Sequence, residues 1–557
     1  MIIFDEEKEK GKVELLLKQE EEELASTLSA KYGVPYLDLS AHPINIDAIR
    51  IIKEADARSA DMAVFNITDK KIDVAVLSPT NEKTLQTIEN LKARGFIPQM
   101  YMVTHASLNK VWERYKDLSY SAETTSGALD ISNEDILDMM KKVETLDDVK
   151  KLIEGVLSMK RAYRISKILE IILAGGISLK ASDIHIEPEE IVVRLRYRLD
   201  GVLTDILKFD KETFELLLSR VKLISNLKLN TKGKAQDGRF SIKLADEEIE
   251  IRTSLLPGPY DESVVLRILT PESISVPLEE LGIHPKLLEV LKKEIAKPNG
   301  MILTTGPTGS GKTTTLYAFL RKIYTPDIKV ITIENPIEYH ITGIVQTQTD
   351  ETGDYTFASG LRSALRQDPD VIMVGEMRDF ETAKIGVEAS LTGHLVLSTL
   401  HTNSAPETIV RLLDMGIDPL NFADALLAIL AQRLVRTLCT RCRESYHPDR
   451  GEYDEIMMSY GEEQFLKLNI PYDDKFKLYR PKGCDACDKT GYRGRMGIHE
   501  LIIATDGIKR LIQRRETVEV MRKLAMEEGM TTLLQDGIYK SIQGLTDFRQ
   551  VRRVCIK

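Results

Sequence analysis

The chain contains the run Gly306-Pro-Thr-Gly-Ser-Gly-Lys312-Thr313-Thr314, and the rest of its predicted architecture is built around this run. It matches the phosphate-binding pattern G-x-x-x-x-G-K-[ST] at every fixed position. An apolar run at 301–305 predicts a buried strand before it, and the pattern at 315–323 predicts a helix after it. A strand, a glycine loop and a helix form the context in which backbone N–H groups surround a polyphosphate. The stretch therefore predicts a nucleoside triphosphatase rather than a glycine-rich surface turn with a stray lysine.

The residues of this loop have predicted roles toward ATP. The Lys312 ammonium is expected to contact the β- and γ-phosphates, and the Thr313 hydroxyl is expected to bind Mg²⁺. The whole set predicted to bind the nucleotide comprises Gly306, Pro307, Thr308, Gly309, Ser310, Gly311, Lys312, Thr313 and Thr314.

Acidic residues end two further apolar runs. Glu334 closes the run at 330–334, and Glu376 follows the run at 371–374. Ligands bind at the carboxyl ends of parallel strands, so both carboxylates are predicted beside the loop. One would hold Mg²⁺, and the other would orient or deprotonate the attacking water. A third run, at 395–400, is flanked by His394 and His401. A histidine there would either contact the γ-phosphate or pack as an ordinary hydrogen-bonded residue.

The bulk composition restricts the class of protein. A chain of 557 residues is long enough for several domains. Its net charge of −10 argues against nucleic acid as the main partner, because a phosphate backbone attracts a basic face. Acidic residues follow Met1-Ile-Ile-Phe at once, so a signal peptide is not predicted, and no apolar run reaches the roughly 18 residues of a membrane span. We expect a cytoplasmic protein whose membrane role depends on a partner.

Four of the five cysteines form two C-x-x-C pairs, Cys439 with Cys442 and Cys484 with Cys487. In a cytosolic enzyme this pattern indicates metal binding rather than a disulfide. Two such pairs about forty residues apart in the chain predict a closed, structural Cys₄ zinc site, whereas a redox function would need only one pair. The fifth, Cys555, is interpreted as a spare thiol.

Changes in composition predict the domain organisation. Residues 1–118 read as a small α/β domain without a catalytic constellation, and 119–158 as a linker and a polar helix. A second domain is predicted at 159–270, and the domain that carries the chemistry at 278–557, with the zinc-binding segment at 439–487. In the second domain a helix at 163–174 is expected to end at Gly175-Gly176.

An arginine-rich strand is predicted at 191–199 of the second domain. Arg194, Arg196 and Arg198 alternate there, so all three project from one face. A solvated edge strand is one interpretation of this pattern, and an anion-facing surface that reaches a neighbouring subunit is the other. Arg239 lies in a further strand-and-turn set.

Several motifs together resemble the secretion-superfamily ATPases of type IV pilus assembly and type II secretion. The resemblance is dense over about 160–557 and loose over 1–118. The stretches that carry it start at Ala181, Arg196, Gln236, Gly306, Ile333, Gly360, Thr392 and Gly491 and read ASDIHIEP, RYRLDG, QDGR, GPTGSGKT, IENPIE, GLRSALRQDPDVIMVGEMRD, TGHLVLSTLHTN and GYRGR. The resemblance implies a RecA-like α/β motor domain preceded by a PAS-like α/β domain, in a ring-shaped homohexamer.

Roles for individual residues also follow from the resemblance. It implies Walker A at 306–313, Glu334 as the catalytic glutamate, Glu376 at Mg²⁺, and a histidine motif from Gly393 to His401. Among these, Lys312, Glu334, Glu376 and His401 are the predicted catalytic residues, and His394 is predicted at the nucleotide. The arginines predicted to complete a neighbour's ATP site are Arg194, Arg196, Arg198 and Arg239.

The implied function is an ATP-hydrolysing hexameric motor for pilin polymerisation, with the type II secretion pseudopilus ATPase as the alternative and a nucleic-acid motor as a weaker one. The implied partners are an inner-membrane platform protein and a cytoplasmic adaptor, at the inner face of the cytoplasmic membrane. Asn335 stands where the family usually has aspartate. The N-terminal domain lacks an Arg-Leu-Gly motif, so cyclic-di-GMP binding is not predicted. The four cysteines favour the assembly or secretion ATPase over the retraction ATPase.

Overall fold

The structure is a computed structural model that describes residues 21–22, 25–39, 42, 44–49, 51–68, 70–116, 133–157, 161–231, 233–244, 247–270, 275–350, 353 and 355–555. The chain divides into two compact units, within 1–130 and 131–557. Residues 119–132 of the predicted linker and helix lie outside the described residues. Within the described part of the chain, none of the helices combines the length and the hydropathy that crossing a bilayer requires.

The first unit contains a three-stranded sheet in which the middle strand pairs antiparallel with the first and parallel with the third. Its strands are β1 (Met62–Thr68), β2 (Lys71–Val76) and β3 (Ile97–Met102). Its helices are α1 (Ile46–Ile49), α2 (Glu54–Ser59), α3 (Glu82–Ala93) and α4 (His105–Glu113). Trp112 on α4 is buried and donates its ring N–H to the Met62 carbonyl at 3.2 Å, so it is a packing residue.

The second unit opens with three helices, α5 (Asn133–Met140), α6 (Leu146–Leu157) and α7 (Arg161–Ser178). The sequence predicted one polar helix after the linker, but the structure has a break between α5 and α6. Thr145 and Asp148 form a capping box at the start of α6: the Thr145 hydroxyl accepts the Asp148 N–H at 3.3 Å, and the Asp148 carboxylate accepts the Thr145 N–H at 2.9 Å. This reciprocal pair marks the start of a new helix.

The prediction that Gly175 and Gly176 end α7 is wrong, because the helix continues to Ser178. A methyl group on Gly175 would lie 2.7 Å from Val149 Cγ2, and one on Gly176 would lie 2.8 Å from Ile184 Cδ1. These two glycines therefore let α7 pack closely against α6 and the following sheet. Their role is packing rather than helix termination.

That sheet has six antiparallel strands in the order β6-β5-β4-β9-β8-β7. The strands are β4 (Asp183–Pro188), β5 (Val193–Leu199), β6 (Val202–Phe209), β7 (Gln236–Leu244), β8 (Glu247–Gly258) and β9 (Asp261–Leu269). The helix α8 (Lys211–Ile224) lies between β6 and β7 in the chain. Along β5 the apolar residues are buried and the three arginines lie on the other face. Since β5 has neighbours on both sides, the interpretation as an edge strand is wrong.

The largest sheet has seven strands in the order β12-β11-β13-β14-β10-β15-β18. All are parallel except β18, which runs antiparallel to β15. Its strands are β10 (Gly300–Thr305), β11 (Val330–Glu334), β12 (Val345–Gln348), β13 (Val371–Val374), β14 (Leu395–Leu400), β15 (Leu426–Leu438) and β18 (Tyr492–Ile503). The central strands are buried along their whole length, as parallel strands covered by helices on both faces must be.

Helices cover this sheet and continue to the C-terminus. Those before β15 are α9 (Pro285–Ile295), α10 (Lys312–Ile323), α11 (Phe357–Leu365), α12 (Phe380–Leu391), α13 (Ala405–Asp414) and α14 (Pro419–Ala425). Between β15 and β18, α15 (Arg450–Tyr460) and α16 (Glu462–Leu466) accompany a small ribbon of β16 (Glu444–Tyr446) and β17 (Leu478–Arg480). The helices that follow β18 are α17 (Asp506–Gln513), α18 (Val518–Glu527), α19 (Leu533–Ile542) and α20 (Phe548–Cys555).

Candidate active site

The glycine loop joins β10 to α10, which begins at Lys312. Gly306 has a φ of 150° and Gly311 a φ of 90°, which L side chains rarely adopt. A Cβ atom on Gly306 would also lie 2.5 Å from the Gln432 carbonyl oxygen, so the loop needs glycine there for space. These conformations turn the backbone of the loop in front of the start of α10, where the helix dipole favours an anion.

The Lys312 ammonium is buried at the base of the loop. It donates to the carbonyl oxygens of Gly306 at 2.8 Å and Pro307 at 3.1 Å. Burial lowers the pKa of Lys312 to about 8, although the charge of Glu376 acts in the opposite direction. Burial destabilises the charged form of this ammonium, and a phosphate bound beside it would stabilise that charge.

Glu334, Glu376 and His401 line the same cavity as the loop, with a volume of about 1360 Å³. Glu334 is the last residue of β11, and Glu376 lies two residues beyond the end of β13. His401 follows the last residue of β14. The carboxyl ends of neighbouring parallel strands thus bring together the acidic and histidine residues that the sequence predicted for this edge.

Three side chains from three elements hold the Glu334 carboxylate, which is 3% exposed. The Tyr317 hydroxyl donates to Oε2 at 2.5 Å, and the Thr332 hydroxyl donates to Oε1 at 2.5 Å. The Gln346 amide donates to Oε1 at 3.1 Å. Burial and the charge of Glu334 both raise the pKa of Tyr317, so its hydroxyl stays a donor. A carboxylate has about four acceptor positions, so Glu334 keeps capacity for a water molecule.

An arginine and a histidine lie beside Glu376. Its Oε2 lies 2.8 Å from Arg378 Nε, and its Oε1 lies 3.3 Å from His401 Nε2. His401 therefore belongs to the site through Glu376.

The prediction that His394 lies at the nucleotide of its own subunit is wrong. His394 precedes β14, and its carbonyl accepts the N–H of Gly300 at the amino end of β10. The glycine loop follows the carboxyl end of β10, which is one strand length away, or roughly 20 Å. The His394 ring instead lies 3.0 Å from the Ala389 carbonyl, through Nδ1. It is a packed, hydrogen-bonded residue, the other interpretation that the sequence allowed.

The arginines of β5 differ in their relation to the cavity. Arg198 lines it, and its Nε lies 3.2 Å from Asp183 Oδ2. Arg194 pairs with Asp205 at 2.8 Å, and Arg196 pairs with Glu187. Carboxylates on the neighbouring strands therefore offset the repulsion between like charges on this face.

Arg239 stands exposed on the edge strand β7. Among the described residues, Arg194, Arg196 and Arg239 are not part of the cavity lining. The sequence analysis missed Arg267 on β9, which does line the cavity and donates to Asp183 Oδ1 at 3.0 Å.

Gln432 and Arg433 on β15 were also missed. The Gln432 amide donates to the Ser310 carbonyl at 2.8 Å and accepts the Thr315 hydroxyl at 2.9 Å, so it fixes the loop to its helix. Arg433 donates to the Asn403 carbonyl at 2.9 Å, beyond the end of β14. A signal was available, because two polar residues interrupt an otherwise apolar run at 426–435.

The four cysteines of the two C-x-x-C pairs form one cluster, with their Sγ atoms all within 4.8 Å of one another. The Sγ distances are 3.9 Å from Cys439 to Cys484, and 3.7 Å from Cys487 to both Cys442 and Cys484. A tetrahedral zinc ion with bonds of about 2.3 Å would separate its sulfur ligands by about 3.8 Å, so the cluster fits zinc.

Backbone groups also prepare this cluster for an ion. The N–H groups of Cys484 and Gly491 each donate to Cys487 Sγ at 3.2 Å. Although burial acts to raise it, these bonds lower the pKa of the Cys487 thiol to about 7. Metal ligands must be thiolates, and these two N–H groups would stabilise the charge of a Cys487 thiolate.

Comparison with known proteins places the chain in a family. The family described as "Type II/IV secretion system protein" matches residues 159–553, and the "MshEN domain" matches residues 32–122. The chain belongs to the type II/IV secretion system protein family. Like the relatives named ATPases, it is an ATPase with an α/β fold. The MshEN match assigns the N-terminal α/β domain to a known domain type, which its sequence pattern alone did not identify. That this domain does not bind cyclic-di-GMP stays a prediction.

Two relatives show the two branches of the family. "Type II secretion system protein E" of Klebsiella pneumoniae is 42% identical, covering 80% of this chain and 86% of the relative. "Type IV pilus assembly ATPase PilB" of Myxococcus xanthus is 35% identical, covering 96% of this chain and 91% of the relative. The Legionella pneumophila ATPase DotB has a similar fold, with a TM-score of 0.51 and 23% identity over 69% of this chain and 94% of that one.

Proposed function

We propose that this protein is a hexameric motor that uses ATP hydrolysis to drive pilin polymerisation in type IV pilus assembly. The observation that carries the proposal is the convergence of the glycine loop, Glu334 and Glu376 on one cavity. Relatives named for pilus assembly and for type II secretion match about equally well, so a motor for the secretion pseudopilus is the second candidate. Deletion of the gene separates the two: loss of surface pili supports the first, and loss of protein export with pili retained supports the second.

In this proposal the residues of the cavity divide the chemistry between them. Lys312 and the loop N–H groups bind the phosphates, while Thr313 and Glu376 hold Mg²⁺, which offsets the charge that develops on the transferred phosphoryl group. Glu334 orients the attacking water and accepts its proton. His401 fixes Glu376 through the contact between their side chains.

ATP hydrolysis by purified protein tests the assignment of Glu334. Glu334→Gln keeps the shape of the side chain and removes its basicity, so we expect turnover to fall by about 100-fold or more. Lys312→Ala should abolish it, whereas Tyr260→Phe, at an exposed position outside the cavity, should hydrolyse ATP at the parental rate. Parental turnover by Glu334→Gln would contradict the role of this residue. Stimulation by added DNA would favour a nucleic-acid motor instead.

The assembly and its partners complete the proposal. Six chains form a ring in which Arg194, Arg196, Arg198 and Arg239 act toward the ATP of a neighbouring subunit. Arg239 supports this, because it is exposed on an edge strand and outside its own cavity. In this proposal the ring works at the inner face of the cytoplasmic membrane with a platform protein and a cytoplasmic adaptor, the partners that the family resemblance implies.

The domain division belongs to the same proposal. It comprises an N-terminal domain at 1–118, a linker and helix at 119–158, a PAS-like domain at 159–270 and a RecA-like domain at 278–557. The MshEN match at 32–122, the six-stranded sheet and the seven-stranded sheet support these boundaries. Within the last domain, the segment 439–487 binds one structural zinc ion through its four cysteines, and the distances between their sulfur atoms support this.

A further inference from the structure

The carboxyl end of β14 holds the turn that carries Glu376. The buried Ser398 hydroxyl donates to the Val374 carbonyl at 2.7 Å, at the last residue of β13. The buried Thr399 hydroxyl donates to the Gly375 carbonyl at 2.8 Å. Two successive side chains of β14 therefore fix the backbone immediately before Glu376.

Thr402 ties the same end of β14 to the glycine loop. Its N–H donates to Thr305 Oγ1 at 3.0 Å, and the two hydroxyl oxygens lie 2.7 Å apart. Thr305 is the last residue of β10, and Gly306, the first residue of the loop, follows it directly. Because Thr305 is fully buried, bulk water does not compete for its hydroxyl.

A third hydroxyl extends this network into α13. Thr408 Oγ1 lies 2.6 Å from Thr402 Oγ1, and both oxygen atoms lie 3.1 Å from the Ser404 carbonyl oxygen. Hydroxyls joined in sequence polarise one another, and a buried network in which each member has its partners fixes one arrangement of the chain. Thr402 is the central member, because its hydroxyl contacts those of both β10 and α13.

We propose that Thr402 is a positioning residue for ATP hydrolysis, which keeps the glycine loop and the turn of Glu376 at a fixed separation. Its neighbour His401 contacts Glu376, and Thr402 itself contacts the strand that leads into the loop. Thr402 lies outside the cavity lining, so it acts through these neighbours rather than on the nucleotide.

The inference rests on the proposed function, in which the loop binds the phosphates and Glu376 holds Mg²⁺. A metal ion that bridges the β- and γ-phosphates must reach the carboxylate while the loop holds those phosphates. The distance between the loop and Glu376 therefore decides whether one ion can contact both. The end of β14 contacts both sides of this gap, and the Thr402 hydroxyl is its connection to the loop.

Steady-state ATP hydrolysis by the full chain tests the role of this hydroxyl. Thr402→Val keeps the shape of the side chain, so we expect kcat to fall by about 3- to 10-fold, the contribution of one hydrogen bond, with KM for ATP near the parental value. Thr402→Ser keeps the hydroxyl and should retain most of the parental rate. Thr87→Val on α3 removes a hydroxyl that donates to the Lys83 carbonyl at 2.8 Å outside the cavity, and this matched control should leave kcat unchanged.

Binding of a fluorescent, non-hydrolysable ATP analogue gives a readout that does not depend on turnover. Without Mg²⁺, Thr402→Val should bind the analogue as tightly as the parental protein, because the loop itself is unchanged. Mg²⁺ should strengthen binding by the parental protein, and this gain should be about 3- to 10-fold smaller in Thr402→Val. An equal gain in both proteins, or a Thr402→Ser variant as slow as Thr402→Val, would overturn the proposal.

A double variant tests whether the hydroxyls act as one network. Thr408→Val should lower kcat in the same direction as Thr402→Val, and the loss in the double variant should be smaller than the product of the two single losses. A loss equal to that product contradicts the network and overturns the proposal.

Glu376→Gln separates this inference from the proposed function. If Glu376→Gln hydrolyses ATP at the parental rate, the proposed function of the cavity fails, and the role of Thr402 fails with it. If Glu376→Gln loses turnover while Thr402→Val keeps the parental kcat, the proposed function stands and only the role of Thr402 is overturned.

Discussion

The Glu334 carboxylate shows how individual residues hold the group proposed to act on the attacking water. Its donors come from α10, from β11 itself and from the edge strand β12. Donors that are already in place cost no reorganisation when a reaction occurs, which is the advantage of a pre-organised site. Tyr317 is one of these donors, with a buried hydroxyl that lies 2.5 Å from Oε2.

Tyr317→Phe removes this donor and keeps the volume of the ring. A hydrogen bond to a charged group contributes about 1.5–3 kcal/mol, so we expect kcat to fall by about tenfold or more, with little change in KM for ATP. Steady-state ATP hydrolysis measures the effect, and Tyr260→Phe is the control for loss of a hydroxyl at an exposed position. A parental kcat would show that Thr332 and Gln346 suffice to place Glu334.

At the scale of elements, the sequence predicted the parts of the fold that depend on local pattern. Continuous apolar runs identified β10, β11, β13 and β14, and the glycine loop placed the site at their carboxyl ends. His394 precedes β14, so in a parallel sheet it must lie at the edge formed by the amino ends of the strands, opposite the glycine loop. The prediction for His394 did not take this chain direction into account. Contacts such as Tyr317 with Glu334 depend on which helix face meets which strand end, and no local pattern contains that information.

Gly175 and Gly176 of α7 were wrongly predicted to end this helix, because their role depends on tertiary packing against neighbouring elements, and this packing role can be tested. We expect Gly176→Ala to lower the free energy of unfolding by about 1–3 kcal/mol, because the added methyl would overlap Ile184 and Ile268. Gly155→Ala in α6 is the matched control, since its methyl meets nothing within 4 Å and should stabilise the helix by about 0.4–1 kcal/mol. Urea unfolding followed by circular dichroism measures both, and equal stability of the two variants would contradict the packing role.

At the scale of the second unit, the residues just after Cys487 contact the parts of the chain that precede the seven-stranded sheet. The Asp488 carboxylate accepts the Leu146 N–H at the start of α6 at 3.1 Å. Asp200, in the turn between β5 and β6, accepts the Gly494 N–H at 2.8 Å. The zinc-binding segment is therefore followed directly by residues that connect the six-stranded sheet and its helices to the edge of the seven-stranded sheet.

Removal of the metal tests the role of this segment. Purified protein should contain about one zinc ion per chain, and Cys442→Ser should lose it and unfold at a lower temperature. Metal analysis by atomic emission and thermal unfolding measure the two effects. Cys555→Ser is the control, because this thiol packs against Val435, Ile498 and Leu533 away from the cluster, and its zinc content should be unchanged. Full zinc in Cys442→Ser would contradict the proposed ligand set.

Lys312 and Tyr317 stand on the same helix, α10, five positions apart in the chain. The group proposed to bind the phosphates and the group that holds the proposed base therefore lie on one helix. A variant engineered for a bulkier nucleotide should keep this helix in place and change the surrounding loops, because rotating the helix would displace both side chains.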